Sequence, residues 1–210
     1  MEEVYLYGAS GHAKVIADIV ETMGGKVVGL IDDNKAVSEL LGMPVAHSFI
    51  GQSPLIISIG NNAIRKHLAE SLQAIFATAI HPSSVISNRA ALGEGTVVMG
   101  GAIVNADARI GRHCIINTGA SIDHECQIDD YVHISPHATL CGNVIVGEGT
   151  WVGAGATVIQ GVKIGRWAMI GAGSVVTKDV PDGWLAVGNR CKCIKQINHE
   201  MMNSQNQTGG

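Results

Sequence analysis

Between His124 and His137 the chain sets three of its nine histidines and three acids within fourteen residues, His124-Glu125-Cys126-Gln127-Ile128-Asp129-Asp130-Tyr131-Val132-His133-Ile134-Ser135-Pro136-His137. A histidine beside a carboxylate is a general-base pair, because the acid orients the ring and favours its protonated form. His124 and Glu125 are therefore the first candidates for chemistry, whereas His113 and His137 read as ordinary surface histidines. A His, Glu, Cys, His cluster could also hold zinc. The stretch offers no clear third ligand at a matching place, so no metal is expected.

A second candidate lies near the start. Val4-Tyr5-Leu6-Tyr7 reads as a buried strand, Gly8-Ala9-Ser10-Gly11-His12 as a tight turn, and Ala13 to about Thr22 as a helix with Val15, Ile16, Ile19 and Val20 at helical spacing. A second strand, Lys26 to Ile31, closes with Asp32-Asp33-Asn34-Lys35. This is a βαβ unit whose turn departs from the full G-x-G-x-x-G fingerprint, since Ser10 stands where the second glycine would be. Backbone N–H groups at a helix N-terminus favour phosphate, and an acid ending the next strand can hold a ribose or a base. A nucleotide fits both features. A third strand, Leu55 to Ile59, leads through Gly60-Asn61-Asn62 into a helix from Ala63 to Gln73, and Phe76 to Ile80 reads as a further short strand.

These groups must be positioned by the chain beyond His81-Pro82, where the periodicity changes from helix and strand to six. An Ile, Leu or Val recurs every sixth residue from Ile86 to Val176 without exception, and a small residue stands four places after most of them, as in Ala102, Ala108, Cys114, Ala120, Cys126 and Ala138. A strand so short is stable only when stacked on its neighbour, so the hexad predicts a β-solenoid, three hexads to a triangular coil. An aliphatic and a small inward residue fill a narrow prism that two bulky ones would overpack. With Ile122 and Cys126 pointing inward, His124 and Glu125 are expected at the outer surface. The expected organisation is a Rossmann-like unit over 1–81, the solenoid over 82–181, a strand and basic segment over 182–198, and a frayed tail over 199–210.

Composition agrees. Aromatic residues make up 4% and glycines number 27, as suits a core of aliphatic and small side chains. A net charge of −4 argues against nucleic-acid or anionic-membrane partners. No stretch approaches the roughly 20 apolar residues of a membrane span, and the acidic start Met1-Glu2-Glu3 is no signal peptide, which makes a cytoplasmic protein with reduced thiols the expectation.

The hexad pattern resembles the left-handed parallel β-helix of hexapeptide-repeat acyltransferases. Gly8-Ala9-Ser10-Gly11-His12, Asp32-Asp33-Asn34-Lys35, Ile59-Gly60-Asn61-Asn62-Ala63-Ile64-Arg65-Lys66, Asn117-Thr118 and His124-Glu125-Cys126 together resemble sugar O- and N-acetyltransferases of the NeuD/PglD type, to about Val187. The resemblance implies a homotrimer that binds acetyl-CoA between neighbouring solenoids and acetylates a UDP-4-amino sugar by direct transfer, with O-acetylation of a sialic acid as the near alternative. A binding protein without turnover is a more distant alternative. By the same resemblance His124 is the base and Glu125 its orienting partner, while His133 meets the thioester and Gly142 offers its N–H to the carbonyl oxygen. Ala154 and Ala172 line the pantetheine channel, and Ser10, Gly11, His12, Asp32, Asp33, Lys35, Gly60 and Asn117 hold the nucleotide sugar; by its charge alone, Arg190 is the residue expected to meet coenzyme phosphate. The family commonly ends in Gly-x-Pro-Ala-Lys, where this chain has Gly188-Asn189-Arg190-Cys191-Lys192.

Overall fold

The structure is a computed structural model that describes residues 3–50 and 54–197. The expected tail, 199–210, lies outside the described residues. The N-terminal unit runs β1 (Glu3–Tyr7), α1 (Gly11–Thr22), β2 (Lys26–Ile31), β3 (Glu39–Leu40), β4 (Met43–Ala46), β5 (Leu55–Ile57) and α2 (Asn62–Ser71). Its sheet has the order β3-β4-β2-β1-β5, parallel throughout except for the β3–β4 hairpin. The short β3 and β4 escape the sequence pattern because β4 carries Pro44, which only a peripheral strand tolerates. Strand β1 is central, with β2 on one side and β5 on the other, so the chain direction switches at the carboxyl end of β1. Open α/β sheets bind ligands at such a point.

The solenoid has three faces of two-residue strands. The first face stacks Val85–Ile86, Ile103–Val104, Ser121–Ile122, Thr139–Leu140, Thr157–Val158 and Val175–Val176; the second runs from Ala91–Leu92 to Lys163–Ile164. The third carries Ala79–Ile80, Val97–Val98, Ile115–Ile116, His133–Ile134, Trp151–Val152, Met169–Ile170 and Trp184–Val187, with Lys192–Gln196 antiparallel at its end. Partners are eighteen residues apart, as in Ile103 with Ser121, so one coil is three hexads. Ala79–Ile80 pairs with Val97–Val98 and so already belongs to the solenoid stack before the His81-Pro82 joint, because Val97–Val98 presents an open parallel edge there. The aliphatic and small inward residues form one continuous buried column that includes Cys114 and Cys126.

Each coil turns at three corners, and the left-handed residue falls three places after the aliphatic one. Asp107, His113, Glu125, Tyr131, His137, Asn143 and Trp167 all have φ between 51° and 61° there, alongside glycines at the other corners. The glycines directly after the aliphatic residue serve a different purpose: a Cβ at Gly153 would lie 2.6 Å from the Ala172 N and the Ile170 O of the next coil.

The N-terminal unit sits on the third face. Ile115, Val97 and Met99 of the solenoid join the core of α1, β1 and β2. The two parts share a hydrophobic core as well as polar contacts from Asn62 and Arg65. This docking also overturns the reading of His113 as a surface residue: its ring is buried, edge-on to Phe76 and stacked on Tyr131.

Candidate active site

The turn after β1 opens a cleft of about 610 Å³ lined by Tyr7, Gly8, Ser10, His12, Asp32, Asp33, Asn34, Ile59, Gly60, Asn61, Ile64 and Trp151. Gly8 has φ +111°, and a Cβ there would stand 2.6 Å from Ile59 and 2.8 Å from the Ser58 carbonyl, so only glycine brings the turn this close to β5. The buried Ser58 hydroxyl secures the crossing by donating to the Gly8 carbonyl at 2.7 Å and the Tyr7 carbonyl at 3.0 Å. Beyond the turn, the N-terminus of α1 faces the cleft through Ser10 and His12.

The two acids divide their work. Asp32 accepts the Ala9 N–H at 2.8 Å on one oxygen and the Asn34 N–H at 2.8 Å on the other, so it ties the glycine-rich turn to the end of β2. Asp33 accepts the Tyr7 hydroxyl at 2.7 Å, and burial together with this bond raises the Tyr7 phenol to about 12. No hydrogen bond reaches its second oxygen among the described residues. Lys35 stands exposed beyond this turn and outside the cleft lining.

His12 is pushed down to about 4 by burial and by the Arg65 charge, and is therefore neutral at pH 7. Asn117 donates its amide N–H to His133 Nε2 at 3.1 Å, its orientation fixed by the Thr118 N–H on its oxygen at 2.8 Å. That leaves the proton on His133 Nδ1. His133 is buried, stacks on Trp151 with centroids 5.3 Å apart, and is held well below its ordinary range by burial and Arg65. Asn117 and His133 thus sit together behind a wall of the cleft.

The His124–Glu125 pair lies elsewhere. His124 and Glu125 occupy the corner between the first and second faces, their side chains 58% and 64% exposed, with Nδ1 3.1 Å from Glu125 Oε2. Glu125 is the left-handed corner residue, φ 59°, which turns its carboxylate back onto the preceding ring. One coil further, Gly142 approaches so closely that a Cβ would lie 2.5 Å from His124 Cε1. The Gly142 N–H has no partner among the described residues, whereas the neighbouring Cys141 N–H bonds Val158. This corner is opposite the third face, so the His124–Glu125 pair and the cleft stand on different sides of one prism. Ala154 and Ala172 are exposed at the corner between the third and first faces, and Arg190 is exposed at the end of the stack. No group of three or more metal-ligating residues comes together among the described residues.

Of the cleft residues, Tyr7 and Trp151 lie outside the motifs that the sequence singled out. Tyr7, the last residue of β1, was legible as the final position before the glycine-rich turn; Trp151 was not, since it arrives from the solenoid.

A Rossmann-like unit on a hexapeptide solenoid, bearing an oriented His–Glu pair, defines a hexapeptide-repeat acyltransferase. Residues 3–72 match the PglD N-terminal domain and residues 143–178 the bacterial transferase hexapeptide with six repeats. A perosamine N-acetyltransferase from Caulobacter crescentus, solved as a mutant with CoA and GDP-perosamine, is 38% identical with TM-score 0.88, over 93% of this chain and 98% of that one. The acetyltransferase domain of PglB from Neisseria gonorrhoeae, solved with acetyl coenzyme A, is 33% identical with TM-score 0.84, over 92% and 99%. A UDP-N-acetylbacillosamine N-acetyltransferase from Bacillus subtilis is 44% identical over 118 residues, and the match spans about half of that relative, 52%. The chain belongs to the PglD-type sugar N-acetyltransferases, and its solenoid is a left-handed β-helix.

Proposed function

We propose that the chain transfers acetyl from acetyl-CoA to the amino group of a nucleotide-activated amino sugar, with a UDP-4-amino-4,6-dideoxy sugar as the preferred acceptor. The observation that carries this reading is the His124 ring, oriented by Glu125 at 3.1 Å and packed close to Gly142, whose N–H has no partner among the described residues. Support for the acceptor comes from the cleft, with its helix N-terminus for phosphate and Asp33 for a hydroxyl or base donor. The Caulobacter relative binds CoA and GDP-perosamine, and the 44% identical Bacillus relative is named for a UDP sugar, which favours UDP.

Glu125 holds the Nδ1 proton, so Nε2 is the basic atom. As the neutral sugar amine attacks the thioester carbon, Nε2 takes its proton, while the carbonyl oxygen gains charge against the Gly142 N–H. Collapse breaks the C–S bond, and the imidazolium returns the proton to the departing thiolate. No acetyl-enzyme is required.

Because the base and the cleft lie on different sides of one prism, the reaction needs the corner of one copy beside the third face of the next. A homotrimer meets that need, with acetyl-CoA between copies along Ala154 and Ala172 towards Arg190. We place the work in the cytoplasm, where acetyl-CoA is at hand.

The test is thiol release from acetyl-CoA with UDP-4-amino-4,6-dideoxy sugars, GDP-perosamine and sialic acid. One amino sugar is expected to turn over, and His124→Ala to lower kcat by about 10²–10⁴ while acetyl-CoA still binds. Turnover of sialic acid alone moves the reaction to O-acetylation. An unchanged His124→Ala refutes the base assignment.

A further inference from the structure

Arg65 is the largest fully buried side chain, 1% exposed, and no carboxylate among the described residues pairs with it. All five of its N–H groups are used on neutral oxygens. Nε donates to the His113 carbonyl at 2.8 Å, Nη1 to the Ile59 and Gly60 carbonyls at 2.9 and 3.2 Å, and Nη2 to Asn62 Oδ1 at 2.8 Å and the Tyr131 carbonyl at 2.9 Å. Asn62 then donates to the Gly149 and Thr150 carbonyls at 3.0 and 3.3 Å. His113, Tyr131 and Gly149 are the left-handed residues of three successive coils at one corner, each eighteen residues from the last. The guanidinium thus joins the Ile59-Gly60 wall of the cleft to the ladder of corner carbonyls. Nearby charge is sparse: Lys66 pairs with Glu148, and Arg112 with Asp130 on the outer surface.

A buried charge with only dipoles around it is costly. Burial accordingly lowers Arg65 itself to about 10, and its field helps to hold His12, His113 and His133 in the neutral form. A lysine could make three of the five bonds, and no neutral side chain could supply the charge.

We propose that Arg65 is a positioning residue for the nucleotide site: it fixes the Ile59-Gly60-Asn61 wall against the solenoid and sets an unneutralised positive charge behind that wall for the diphosphate of the ligand. This inference rests on the reading of the cleft as a nucleotide site. It assigns Arg65 no contact with the reacting atoms, and none with the coenzyme.

The experiment is calorimetric titration of the full chain with UDP, GDP and acetyl-CoA, for wild type, Arg65→Lys and Arg65→Gln, with the thermal midpoint of each. Wild type is expected to bind at least one of the two nucleotides. Loss of charge-assisted hydrogen bonds and of the charge itself predicts a nucleotide Kd raised by about tenfold or more in Arg65→Gln and by less in Arg65→Lys, with the acetyl-CoA Kd unchanged in both. If Arg65→Gln does not fold, Arg65→Lys carries the comparison, since it keeps the charge and loses the fork. Nucleotide binding at wild-type strength in the folded variants overturns the proposal alone. Equal weakening of nucleotide and acetyl-CoA overturns it as well, by reducing Arg65 to general support of the fold. A wild type that binds neither nucleotide refutes the nucleotide site and this inference with it.

Discussion

Gly142→Ala separates the position of the proposed base, His124, from everything else around it. The added Cβ would fall 2.5 Å from His124 Cε1 and 2.6 Å from Nε2. Carbon contacts are comfortable at about 3.5–4.0 Å, so the ring must retreat by about 1 Å. It can do so cheaply, because the His124 side chain is 58% exposed and among the described residues only Glu125 bonds its ring. The Gly142 backbone is outside the left-handed region, and alanine keeps the N–H proposed to meet the oxyanion. The fold should therefore be unharmed, with the thermal midpoint level or slightly raised by the loss of glycine entropy in the unfolded chain. A misplacement of about 1 Å in a reacting group costs on the order of 10²-fold in rate. The assay is acetyl-CoA consumption at saturating acceptor, beside a thermal melt and an acetyl-CoA titration. A kcat within about threefold of wild type would show that His124 does not work from the place the fold gives it. A fall in rate that merely follows a fall in midpoint would refute the reasoning equally.

Other consequences are open to direct measurement. Glu125→Gly should abolish most turnover yet leave stability equal or higher by up to about 1 kcal/mol in chemical denaturation, since a left-handed corner, φ 59°, suits glycine better than glutamate; a clear loss of stability would contradict this. Gly153→Ala drives a Cβ to 2.6 Å from the backbone of the next coil, which cannot swing aside, and should cost about 1–3 kcal/mol or more. His12 and His113 titrate at about 4 in the fold against 6.5 in the unfolded chain, so below pH 6.5 protons bind the unfolded state in preference. Their share of the stability should be level at higher pH and fall by about 2 kcal/mol per pH unit between about pH 6 and pH 5, ceasing below about pH 4, and His133, held low by the same burial, adds to the slope. Denaturant melts that show no slope in that window would place both rings in water.

The legible part of this protein was what repeats or what is local. An aliphatic residue every sixth position from Ile86 to Val176 admits little besides a solenoid, because each two-residue strand must bury the same side chain at the same point of its coil. The βαβ unit, its Gly8 turn and the adjacency of His124 and Glu125 could be read for the same reason: the interacting groups are near in sequence. The tertiary structure decided everything that joins distant segments. It committed both oxygens of Asp32 to the Ala9 and Asn34 N–H groups and left Asp33, steadied by Tyr7, to face the cleft. It buried Arg65, an ordinary helix arginine in the sequence, among carbonyls 48 and 66 residues away. It also set His124 on the corner opposite the face that bears the cleft. Periodicity states which way each residue points, but not which remote surface will meet it; only packing of the N-terminal unit onto the third face turns those directions into a pocket and a clamp.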